Sequence, residues 1–108
     1  MNEEKYLNDF NIISVAGMSK SKSILAIKEA KQGNYDKAHE HLHEANKMLN
    51  EAHKLQFQML QQESRGKTIE LTIITVHAQD HITMALLFYE IALEIIEIYK
   101  RIQQKWKY

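Results

Sequence analysis

The chain contains no proline and only three glycines in 108 residues. Proline removes a backbone donor and breaks helices and central strands, and glycine is the usual residue where a chain must turn sharply. With almost nothing to interrupt it, the chain can only be built from long regular segments, and the spacing of its apolar residues is helical. The one β-branched cluster, Thr72-Ile73-Ile74-Thr75-Val76, runs into a helical period and reads as helix. Two glycines fall where such segments end: Gly33 in Gln32-Gly33-Asn34 and Gly66 in Glu63-Ser64-Arg65-Gly66-Lys67. Each suits the left-handed position just past a helix C-terminus. Three helices joined by two turns predict an all-α, antiparallel three-helix bundle, with residues 1–108 as a single domain.

The first helix is predicted to start near Asn2, with Glu3 and Glu4 complementing its positive end. Its apolar line is Phe10, Ile13, Gly17, Ser21, Ile24 and Ile27. Gly17 and Ser21 narrow that line, which reads as close approach of a neighbouring helix, or else as a gap beside a site. Asn34 can cap the second helix. That helix carries Tyr35, Ala38, Leu42, Ala45, Leu49, Ala52, Leu55 and Met59 on one seam and spans roughly 45 Å. The third is predicted from near Ile69 to about Gln104, with Lys100, Arg101, Lys105 and Lys107 at its negative end.

Helix three is apolar on two sides. One line is Ile73, His77, Asp80, Met84, Leu87, Ile91, Ile95 and Ile98. Beside it runs Ile74, Ala78, Ala85, Phe88, Ala92, Ile95 and Tyr99. One stripe can face the other two helices and the second then needs cover, which predicts self-association.

Composition narrows the function. Lys plus Arg equals Asp plus Glu at 14 each, so no basic field gathers nucleic acid and no polybasic run holds anionic lipid. No apolar run is long enough to span a membrane. Met1 to Asp9 is polar and acidic, unlike a signal peptide. There are no cysteines, which excludes disulfides and thiolate metal sites and suits a cytoplasmic protein.

His77 and Asp80 occupy seam positions where Leu or Ile would be expected. A charge withdrawn from water without a partner is costly, so these residues need a reason to be there. His77, Asp80 and His81 share one helix face by their spacing of three and four. Three readings stand. The first is a structural histidine, hydrogen-bonded in the core. The second is a metal site on His77 and His81, in a non-enzymatic helical adaptor or metal-binding bundle; two histidines at i and i+4 can chelate zinc. The third is nucleophilic catalysis, because a neutral imidazole has a free lone pair and can accept a phosphoryl group. His81 and Gln79 could then supply hydrogen-bond donors. No phosphate loop or kinase signature accompanies them, so the chain would carry phosphate rather than bind a nucleotide. His39 and His43, a second pair at i and i+4 with His41 between, read as a solvated face.

The run Val76-His77-Ala78-Gln79-Asp80-His81 resembles the active-site signature of the lactose/cellobiose-type enzyme IIA of the bacterial sugar phosphotransferase system. The resemblance continues at Ala16-Gly17 with Lys20-Ser21, at Lys31-Gln32-Gly33-Asn34-Tyr35 with Ala38, at Ala52-His53 with Gln56, and at Glu63 and Gly66. It departs at Leu25, where the family commonly has glutamate, at Phe57, where it has threonine, and at Ser19, where it has alanine. His53 belongs to the matching motif and reads equally well as a packing histidine.

The resemblance implies a three-helix bundle that forms a homotrimer through its third helices. It implies that His77 is the phosphoryl acceptor, taking phosphate from the histidine-containing phosphocarrier protein and passing it to a cysteine of enzyme IIB, with Gln79 and His81 in support. It further implies that Asp80 is a metal ligand, three copies meeting on the three-fold axis around one Mg2+. That would answer the question of its missing partner, since carboxylate oxygens suit magnesium.

Overall fold

The structure, a computed structural model, describes residues 3–106. Three helices make up the fold: α1 (Glu3–Lys31), α2 (Tyr35–Ser64) and α3 (Ile73–Trp106). Among the described residues there is no strand, and no helix is long and apolar enough to cross a membrane. The bundle is a slim rod of 62 × 21 × 19 Å. The expected start at Asn2 and the basic Lys107 lie outside the described residues.

Both helix stops are built as the glycines require. Gly33 has φ 83° and Gly66 φ 84°. At the first turn the Asn34 N–H donates to the Glu29 carbonyl and the Gly33 N–H to the Ala30 carbonyl, each at 2.9 Å. At the second, Lys67 donates to Gln62 at 3.1 Å and Gly66 to Glu63 at 3.0 Å. These are paired Schellman bonds, which satisfy carbonyls the helix end would otherwise leave open. Asn34 occupies the N-cap position of α2, but its side chain does not cap. Its amide instead donates to the Glu29 carboxylate at 3.0 Å, tying the turn backwards rather than forwards.

α3 begins at Ile73, not near Ile69. Thr72 sets the start: its hydroxyl accepts from the Thr75 N–H at 3.3 Å, and its carbonyl takes the first helical bond from Val76 at 3.1 Å. A threonine cap of this kind satisfies one of the free N–H groups at a helix start, so residues 67–72 connect the second turn to α3 without regular structure.

Small residues dominate the core. α2 buries Ala38, Leu42, Ala45, Leu49 and Ala52, the seam its sequence predicts. α3 turns the line of Ala78, Ala85 and Ala92 inward, joined by Ile82 and Ile96. α1 differs from expectation. Its buried face is Asp9, Ile12, Ala16, Ser19, Ser23, Ala26 and Ala30, about a third of a turn from the predicted line, and Phe10 is exposed. The reason is that polar residues hold inward positions. The Ser19 hydroxyl donates to the Ala45 carbonyl at 2.8 Å, and the Thr75 hydroxyl donates to the Asp9 carboxyl, also at 2.8 Å. Ser19 and Asp9 thus make hydrogen bonds to the other two helices, while the Ser23 hydroxyl is buried without one, and the small serines let α1 sit close to its neighbours.

Candidate functional site

The cap at Thr72 and the inward turn of Thr75, Ala78 and Ile82 set the orientation of the first turns of α3. With 3.6 residues per turn, these inward positions force residues 73, 76, 77 and 80 outward. Ile73, Val76, His77 and Asp80 are exposed, and Gln79 and His81 are half-buried at the flanks. The seam that contains His77 and Asp80 is therefore the outer stripe of the chain, not its core. Within one chain Asp80 carries no buried-charge penalty, because water reaches it. The same holds for Leu87, Ile91 and Ile98 further along this stripe, all exposed.

His77 and His81 form a pair. Their Nε2 atoms are 3.1 Å apart, and their rings meet edge to face with centroids 4.5 Å apart and planes at 88°. Burial pushes the His81 imidazole below its ordinary range. The charges of His77 and Lys20 push the same way, and Asp80 opposes them. His81 is thus held neutral at neutral pH. Its Nδ1 is buried and has no hydrogen-bond partner. An unmet lone pair there is cheaper than an unmet N–H, so we assign the His81 proton to Nε2, where it donates to His77 Nε2. In that arrangement the His77 Nε2 lone pair accepts from His81, the His77 ring proton sits on Nδ1, and the lone pair becomes free to attack when the His81 N–H turns away. An imidazole so arranged is a nucleophile of defined tautomer.

Two residues from other helices complete the surroundings. Gln56 of α2 donates from Nε2 to Gln79 Oε1 at 2.6 Å, fixing which end of the Gln79 amide is free to donate. Lys20 of α1 rests with Nζ 5.7 Å from the centre of the Phe88 ring on α3. It lines, with Gly17, Ser21, Met18, Leu25 and His81, a groove open to solvent. A Cβ added at Gly17 would meet nothing within 4 Å. Close approach of another helix of this chain does not explain that glycine; it borders a gap beside His81. The sequence marks Gln56 and Lys20 only as parts of motifs. What it lacks is the register between helices, which brings both within reach of α3.

The remaining histidines lie apart. His39 and His43 are exposed on α2, and His39 Nε2 meets Lys100 Nζ at 2.6 Å. His53 is half-buried. Among the described residues no group of three or more His, Asp or Glu side chains could hold a metal ion, so a chelate on His77 and His81 finds no further ligand among them.

Comparison with known proteins bears on this arrangement. Residues 8–100 match the family model described as the phosphotransferase system lactose/cellobiose-specific IIA subunit. The chain belongs to the lactose/cellobiose enzyme IIA family. It is 38% identical over 105 residues to the lichenan-specific phosphotransferase enzyme IIA component of Bacillus subtilis, covering 97% of this chain and 96% of that protein. The cellobiose-specific enzyme IIA of Bacillus anthracis superposes with a TM-score of 0.94 at 34% identity, over 97% of this chain and 96% of the other. The chitobiose enzyme IIA of Escherichia coli, solved in complex with HPr, superposes with a TM-score of 0.82 at 27% identity, over 94% and 99% of the two chains. As an enzyme IIA, this chain is a phosphotransferase component of a sugar phosphotransferase system. The three-helix fold is the family's own, and in this enzyme IIA the paired imidazoles stand on the outward side of α3.

Proposed function

We propose that His77 is the phosphoryl carrier of this enzyme IIA, and that the protein relays phosphate from a histidine-bearing phosphocarrier to a cysteine of an enzyme IIB during uptake of a sugar. The observation that carries this reading is the exposed His77 with its Nε2 held 3.1 Å from His81 Nε2. In the first step the His77 Nε2 lone pair forms a bond to phosphorus as the N–P bond of the donor breaks, and that electron pair returns to the donor imidazole. As the phosphoryl group arrives, the His81 Nε2–H can turn from His77 to a phosphoryl oxygen. In the second step a thiolate forms the S–P bond and the His77 N–P bond breaks. Both transfers depend on positioning and hydrogen bonding more than on covalent assistance. The E. coli chitobiose relative solved with HPr supports a donor of that kind here.

The outer stripe of α3 supports a homotrimer. Ile73 is 89% exposed, Leu87 53%, Ile98 54% and Ile91 41%, too much aliphatic surface along one helix to leave in water. Association through this stripe would bring three copies of Asp80 together. Among the described residues of one chain Asp80 belongs to no group of three or more ligands that could hold a cation; three Asp80 carboxylates fit a hard divalent ion such as Mg2+. When bound, the ion would neutralise the mutual repulsion of these side chains. A cytoplasmic location is part of the same proposal.

The test is phosphorylation with phosphoenolpyruvate, enzyme I and the phosphocarrier. The chain should gain an acid-labile, base-stable phosphate. His77→Ala should abolish it, while His39→Ala and His43→Ala keep it. Label that survives loss of His77 defeats the assignment and favours the adaptor reading.

A further inference from the structure

Among the described residues Lys20 is a cation with no anion beside it, whereas Lys22 on the same helix pairs with Glu44 at 2.8 Å. Lys20 is half-buried and rests on the Phe88 ring, a weaker partner for an ammonium than an anionic oxygen. It lines the same groove as His81, and His81 touches His77. The groove is open at Gly17, where a Cβ would meet nothing within 4 Å.

We propose that Lys20 is the counter-cation of the phosphorylated state: its ammonium leaves the Phe88 ring and pairs with the phosphoryl oxygens carried by His77. This inference rests on the phosphorylation of His77 argued above. A phosphoryl group brings up to two negative charges next to Asp80, a carboxylate that repels it. An unpaired ammonium on a flexible stem offsets that repulsion without a buried-charge cost in the resting state. No bond to Lys20 is made or broken and its protons stay in place; it donates hydrogen bonds to the phosphoryl oxygens. Open space around Gly17 gives the stem room to swing.

The experiment compares wild type with Lys20→Met, Lys20→Gln and Lys20→Arg, each checked for folding by circular dichroism. Phosphorus NMR of the phosphorylated proteins across pH should show the second phosphoryl ionisation raised by about half a unit to one unit in Lys20→Met and Lys20→Gln, as loss of a nearby cation demands. Transfer from the phosphocarrier should fall about tenfold or more in kcat, and Lys20→Arg should restore both. Unchanged ionisation and kcat in folded Lys20→Met would overturn the proposal. So would a loss confined to KM that vanishes at high salt, which marks a docking lysine. If wild type takes no label, or His77→Ala still does, it is the His77 assignment that has failed, and the role of Lys20 falls with it.

Discussion

Thr75→Val is the sharpest probe of how α1 holds the start of α3. The substitution keeps shape and β-branching and removes one hydroxyl. Thr75 is 2% exposed and Asp9 0%, and the bond between them is 2.8 Å long. Taking the donor away strips a hydrogen bond from a buried carboxyl group, at a cost of about 1–3 kcal/mol. For a domain near 100 residues each kcal/mol moves Tm by about 4–8 °C, so a fall of roughly 5–20 °C is expected. Thermal unfolding followed by far-ultraviolet circular dichroism reads it, at one fixed protein concentration because association also shifts Tm. Thr83→Val is the control: its exposed hydroxyl only back-bonds to the Gln79 carbonyl at 3.2 Å, and its loss should change stability by less than about 0.5 kcal/mol. A Tm for Thr75→Val within about 2 °C of wild type, or an equal loss in Thr83→Val, would refute the argument. Because His77 lies two residues beyond Thr75, fraying of that turn should also slow labelling of His77.

Four other outcomes follow from the geometry. Ile91→Asp should convert the assembly to monomers in sedimentation analysis, since an aspartate on the outer stripe would be buried against its own copies; a mass equal to wild type would exclude association through this face. Gly17→Ala should raise stability by about 0.5–1 kcal/mol, because its Cβ enters open space; destabilisation would show that another copy packs there. Because the folded-state pKa of His81 is lowered, the unfolded chain binds more protons, and stability should fall as pH drops below about 6.5 and level off once the folded form also protonates. His81→Gln should flatten that part of the Tm profile, and an unchanged slope would assign it elsewhere. Removal of divalent ions by a chelator should lower the Tm of wild type and leave Asp80→Ala unmoved, with Asp80→Ala itself only mildly destabilised; a chelator effect that persists in the variant would place the ion at another site.

The sequence is legible where one rule acts alone. Gly33 and Gly66 mark both helix stops because only a residue tolerant of positive φ can occupy them. The α2 seam reads correctly because Leu42 and Leu49 alternate with alanines and nothing polar intrudes. α1 defeats the same reasoning. Its inward face carries Asp9, Ser19 and Ser23, and the hydrogen-bond partners of Asp9 and Ser19, the Thr75 hydroxyl and the Ala45 carbonyl, lie on other helices. A search for apolar periodicity therefore settles on the neighbouring line. α3 shows two stripes, and pattern does not reveal which one turns inward. Alanine at 78, 85 and 92 decides it, because the helices approach closely only over small side chains. The histidine pair is legible, being four residues apart on one helix. Lys20 and Gln56 are not, since their proximity to α3 is a matter of register between helices.

The alanines along these seams also act as a gauge. Ala16 on α1, Ala45 and Ala52 on α2, and Ala78 and Ala85 on α3 are fully enclosed, so the separation of the helix axes is set by methyl groups that have nothing to rotate and no room to grow. A single added methylene at any of them would wedge two helices apart and carry Lys20 or Gln56 away from the imidazoles by a comparable distance. The interior of this slim rod thus serves as the ruler against which its reactive surface is aligned, and drift in sequence should be strongly restricted at its smallest enclosed residues.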